Sequence, residues 1–118
     1  MNMTLTVIGS GSSGNCYIIQ NEDEAIILEA GLPFDNEVKK ALGWDVAKIQ
    51  GVLCTHYHND HAGYLKQYDS AGFSIFTLPE VIEKKGISEQ NARPLSLSGR
   101  WEKVGGFKVL PFPLVHYN

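Results

Sequence analysis

Thr55-His56-Tyr57-His58-Asn59-Asp60-His61 is the stretch that decides how this chain is read. Three of its four histidines fall within six positions, with an aspartate directly before the third. Imidazole is a preferred nitrogen ligand for zinc, and a carboxylate oxygen complements it at a borderline-soft ion. His56 and His58 lie two apart at the end of an apolar run, Ile49 to Cys54, which reads as a strand. In extended backbone that spacing puts both rings on one side, where they can share one ion. Asp60 and His61 fall where the chain turns toward a helix, so they are expected to point elsewhere and to serve a second, neighbouring ion. A merely solvated loop would set three imidazoles to repel one another on protonation for no gain. The pattern is that of a metal site.

Outward from this run, elements alternate only in part. Thr4 to Ile8, Cys16 to Gln20 and Ala25 to Leu28 read as strands of the kind buried on both faces. A helix follows, capped by Asp35 or Asn36, with Val38, Ala41 and Leu42 on one face and Gly43 as its stop. Beyond the histidines, Ala62 to Tyr68 reads as a short helix and Phe73 to Thr77 as a strand. Pro79 opens another helix that ends at Gly86. Trp101 to Val104 and Phe107 to Leu110 form a hairpin around Gly105-Gly106, with Trp101 and Phe107 as its core. The expected fold class is α/β, a mixed β-sheet flanked by helices rather than a parallel doubly wound sheet.

Gly9, Gly11 and Gly14 satisfy G-x-G-x-x-G after a strand, with Glu29 at about the distance of a ribose-binding acid. A dinucleotide site needs the third glycine to open a helix. Here Asn-Cys-Tyr-Ile-Ile-Gln follows Gly14, and ten residues before Ala25 leave no room for a helix and its return. The run reads instead as a tight turn between strands, either structural or close to a substrate.

At 118 residues the chain fits one domain and can bury roughly two-thirds of its unfolded surface without staples. A net charge of −3 gives no bulk attraction for nucleic acid or anionic membrane, so an anionic substrate must be drawn locally. Met1 to Ile8 resembles neither a signal peptide nor a membrane span. Cys16 and Cys54, far apart and outside any CxxC spacing, define no disulfide framework, so a cytoplasmic location is expected.

Thr-His-x-His-x-Asp-His after an apolar strand resembles the signature of the metallo-β-lactamase superfamily. Other landmarks fall in order. Leu28-Glu29-Ala30-Gly31 stands where most members carry Asp-x-Gly, and Pro-Phe-Pro-Leu-Val-His ends at His116 as the third motif does. The opening Gly-Ser-Gly-Ser-Ser-Gly-Asn-Cys resembles the YycJ (WalJ)-like branch, cytoplasmic enzymes regarded as nucleases or phosphodiesterases. The resemblance implies half of an αββα sandwich, a single domain over 1–118 that ends after the third metal-binding motif.

Carried over residue by residue, His56, His58 and His116 would form the first metal site, and Asp60 and His61 would contribute to the second. Asp60 would also accept a proton as the catalytic base. Glu29, where aspartate is usual, is read as orienting the loop rather than as a ligand. The family's bridging aspartate and final histidine have no counterparts here. The expectation is therefore one zinc bound strongly and a second weakly or not at all, with manganese as the alternative ion. The implied activity is zinc-dependent hydrolysis of a phosphodiester, with nucleic acid as the candidate substrate and no membrane partner. A thioester or lactone hydrolase of the glyoxalase II kind is the rival enzyme, and a non-catalytic zinc-binding fragment is the rival from another class. A half-fold should also expose apolar strand edges and self-associate.

The remaining residues carry weaker signals. Cys16 and Cys54 read as small buried hydrophobes, Tyr57 and Asn59 as loop positions near a substrate, and Tyr64 and Tyr68 as packing or surface groups. Lys84-Lys85 reads as a solvated helix end or a weak phosphate contact.

Overall fold

The computed structural model describes residues 2–113; the expected ligand His116 lies outside the described residues. Six strands form one sheet in sequence order: β1 (Thr4–Gly9), β2 (Cys16–Gln20), β3 (Ala25–Leu28), β4 (Ile49–Cys54), β5 (Ile75–Thr77) and β6 (Ala92–Pro94). The first three pair antiparallel, and β3 through β6 pair parallel. The sheet is therefore mixed, as the partial alternation of elements implies. Strand β6 is an addition that no periodicity announced, because Ala-Arg-Pro carries no β pattern.

Parallel neighbours need crossovers, and helices supply them. α1 (Asn36–Ala41) links β3 to β4, α2 (Asn59–Ala62) and α3 (Leu65–Ser70) link β4 to β5, and α4 (Pro79–Lys85) links β5 to β6. Asp35 caps α1 by accepting from the Glu37 amide, and Gly86 stops α4 at φ 62°. The single helix expected over Ala62 to Tyr68 is instead two. α2 begins three residues earlier, inside the histidine run, and the break falls at Gly63-Tyr64.

The main core lies between the helices and one face of the sheet. Ile27, Val52 and Ile75 from adjacent strands meet Val38, Leu65 and Val81 from the helices, all fully buried. Each such side chain contributes on the order of 1.5–3 kcal/mol. A second, smaller core covers the other face, where β7 (Glu102–Val104) and β8 (Phe107–Val109) lay Val104 and Phe107 over Ile26 and Leu53.

Two further expectations need correction. β1 is not buried on both faces; it is an edge strand with Leu5 and Val7 61% and 56% exposed. Trp101 is not hairpin core either. It precedes β7 and is 65% exposed, because the hairpin turns Val104 and Phe107 toward the sheet instead. No helix among the described residues is long and apolar enough to cross a membrane.

Candidate metal centre

The carboxyl ends of parallel strands are where loops gather functional groups in open α/β sheets. β3 and β4 run parallel with Leu28 opposite Leu53, so Glu29 and Thr55 leave adjacent strands side by side. Glu29 sits at φ 66°, a left-handed conformation costly for a side chain with a Cβ. Its backbone amide donates to Leu53 O at 2.7 Å, and its buried carboxylate is fully engaged. Oε1 accepts from the Thr55 amide at 2.8 Å, while Oε2 accepts from the Thr55 hydroxyl and faces His61 Nδ1 at 2.7 Å. The Thr55 hydroxyl also contacts His56 Nδ1. One carboxylate thus reaches both imidazoles, one directly and one through a threonine. With each Nδ1 occupied, Nε2 is the nitrogen that both rings have available for a metal.

The ring positions differ from the paired arrangement that spacing suggests. His56 stacks on His61, with centroids 4.0 Å apart and planes 20° apart, whereas the His56 and His58 centroids are 5.8 Å apart. The cause is the early start of α2. The His61 amide donates to His58 O at 2.9 Å, so the backbone folds back within one turn and returns His61 over His56. Ligand atoms of Glu29, His56 and His61 lie within 4.8 Å of one another. Asp60 Oδ2 is 3.6 Å from His61 Nε2, which places a carboxylate oxygen beside that ring's available nitrogen. Burial, and then the neighbouring His61, lower the pKa of His56, which favours the neutral form that binds metal.

The loop that carries these groups is fixed from three sides. Ala30 N donates to His61 O at 2.7 Å, and Tyr64 N donates to Ala30 O at 2.8 Å. Cys54 Sγ lies 3.2 Å from His56 O; burial, then the charge of Glu29, pushes its thiol up to about 12. Cys54 is a protonated packing group here. From the glycine–serine turn, Asn15 donates to Asp60 O through both its backbone N (2.7 Å) and its Nδ2 (2.9 Å). That turn is therefore neither a dinucleotide loop nor a bare connection. It braces the metal loop, and together Ser12, Ser13, Gly31 and Asp60 line a shallow groove of about 420 Å³.

Gly31 is where these loops touch. A Cβ there would run into Asp60 O and would lie 2.6 Å from Asn15 N, both backbone atoms. Gly31→Ala should destabilise the chain by about 3 kcal/mol through overpacking and weaken metal binding along with it. Urea unfolding and zinc titration of the variant check this, and an unchanged midpoint would contradict the contact. The bracing roles of Asn15 and Thr55 are not predicted by the sequence. Their signals were an asparagine that ends a glycine-rich turn and a threonine that opens the histidine run.

Fold and site together define a class of protein in which imidazoles and carboxylates gather on loops at one end of a mixed sheet, positioned for a metal ion. The chain belongs to the metallo-beta-lactamase superfamily: that family's model matches residues 9–73, more than half of its 118 residues. It is 34% identical over 120 aligned positions to a UPF0173 metal-dependent hydrolase from Natranaerobius thermophilus, covering 97% of this chain and 49% of that protein. It is 29% identical over 63 positions to exodeoxyribonuclease YycJ of Bacillus anthracis, covering 52% of this chain and 24% of that one. The metallo-beta-lactamase fold protein YhfI of Bacillus subtilis superposes with a TM-score of 0.66 at 21% identity, covering 92% of this chain and 51% of YhfI. The chain spans about half the length of the metal-dependent hydrolase it matches.

Proposed function

We infer that this chain carries the metal-binding part of a zinc-dependent phosphodiesterase that acts on nucleic acid. The observation that supports this most is the grouping of His56 and His61 around Glu29, each ring's Nδ1 already occupied, with groove-lining Asp60 beside the His61 Nε2. Zinc, when bound, supplies Lewis acidity that makes a water nucleophilic near neutral pH and offsets charge on a phosphate. His56 and His58 would hold it, with His116 from outside the described residues. Asp60 and His61 would offer a second, weaker position. Asp60, partly exposed at the groove, would accept the proton of the attacking water. Glu29 and Thr55 keep both rings in one tautomer, and Asn15 holds the Asp60 backbone in place. The likeness to an exodeoxyribonuclease favours a phosphodiester over a thioester.

The test pairs two substrates. With zinc supplied, the chain should hydrolyse bis(p-nitrophenyl) phosphate and leave a glutathione thioester intact. Preference for the thioester would favour the glyoxalase-type reading, and turnover of neither would overturn the assignment. Two unpaired, buried cysteines support a reducing compartment, the cytoplasm. Exposed Leu5 and Val7 on edge strand β1 support self-association, which light scattering would register as a mass above one chain.

A further inference from the structure

α4 ends against the metal loop. Lys85 Nζ is 3.1 Å from Asn59 Oδ1, and Lys84 Nζ lies 3.7 Å from the centroid of the Tyr57 ring. Tyr57 and Asn59 are the two residues interleaved with His56, His58 and Asp60, so both ammonium groups sit beside the candidate ligands. Among the described residues no carboxylate lies within 4.0 Å of either lysine, although Glu80 stands four before Lys84 on the same helix. Lys84 instead turns to an aromatic face, and Lys85 to a neutral amide. Lys85 is also close enough to lower the pKa of Cys54, a minor effect against the burial that raises it.

Two cations held by uncharged partners keep their attraction for an anion. A chain with net charge −3 gains nothing from general attraction, so local cations have to do the steering, and this pair adds to what a bound metal would supply. We propose that Lys84 and Lys85 form a subsite for the phosphates that flank the scissile diester, so that the substrate is a polynucleotide strand rather than a small diester. This rests on the phosphodiesterase reading and deepens it. Lysine suits the task as a flexible point charge that follows a backbone without reading sequence. Tyr57 and Asn59 act as its rests, which hold the ammonium groups beside the loop while leaving them exposed to a ligand.

The test measures binding of a short fluorescent oligothymidylate to the zinc-loaded chain by stopped-flow anisotropy, before turnover, across a salt series. K84Q/K85Q should weaken binding about tenfold and reduce the salt slope by about 1.4, about 0.7 for each lost phosphate contact. K84R/K85R should retain the parent's affinity. K39Q/K40Q, at the last turn of α1, removes the same charge away from the site and should leave binding unchanged. Equal losses in K84Q/K85Q and K39Q/K40Q would reduce the effect to net charge and overturn the proposal. So would an unchanged slope in K84Q/K85Q, or a parent that does not bind the strand. If the parent binds with the expected slope yet cleaves neither the strand nor bis(p-nitrophenyl) phosphate, the subsite stands and the phosphodiesterase reading fails.

Discussion

His56→Ala should lower zinc affinity by more than a hundredfold and remove phosphodiester hydrolysis with it. Loss of a partner that only orients a ligand costs roughly 10–100-fold in metal affinity. His56 would hold the ion itself, with its Nε2 available and its ring stacked on His61. Replacement by alanine removes one of the two imidazole donors that the site brings together, and leaves His61 to bind with a single ring. Glu29→Gln makes the contrast. An amide oxygen could still face His61 Nδ1, but the amide NH2 would oppose the Thr55 amide or hydroxyl, so a loss inside the 10–100-fold range is expected. Competition with a chromophoric chelator measures both variants, and elemental analysis of the dialysed parent should give about one zinc per chain. A His56→Ala chain that binds zinc as tightly as the parent would remove His56 from the centre.

The second large effect lies outside the site. Asp69 on α3 is 3% exposed and is the hub of a polar cluster. Its Oδ2 accepts from Lys66 Nζ at 2.8 Å and the Ser88 amide at 2.9 Å; its Oδ1 accepts from Ser88 Oγ at 2.6 Å and Asn91 Nδ2 at 2.8 Å. These bonds tie α3 to the segment that leads from α4 into β6, a connection with little apolar content of its own. Asp69→Asn turns two acceptor oxygens into one acceptor and one donor, and so strands buried donors. The expected cost is about 2–4 kcal/mol, a fall in Tm on the order of 10 °C.

The same carboxylate makes stability depend on pH. Burial alone would raise its pKa, but the bonds from Lys66, Ser88 and Asn91 outweigh burial and hold it well below the usual carboxylate range. A group with a depressed folded-state pKa contributes its full stability above its unfolded pKa, about 3.9, and loses that contribution as pH falls toward the folded value. The parent should therefore lose stability below about pH 4, and Asp69→Asn should lose less over the same interval. Urea unfolding at pH 7 and pH 3 checks both effects. Parallel losses in the two proteins would remove Asp69 as the source.

The residue types and spacings of Thr55 to His61 were sufficient by themselves to announce a metal site and, by resemblance, the superfamily. Ligand chemistry is local, and so is the apolar strand Ile49 to Cys54 that delivers it. Caps and stops were equally legible at Asp35, Pro79 and Gly86, because each acts on its own helix. Only the folded chain decided that His61 stacks on His56, that Glu29 reaches both rings, and that Asn15 and Lys85 arrive from distant turns to hold the loop. The stack joins rings five positions apart through the turn of α2, whereas the contacts of Glu29, Asn15 and Lys85 join residues 26 to 45 positions apart. The long-range ones follow from the order of strands in the sheet, and no short-range pattern encodes which loops a sheet will bring to the same end.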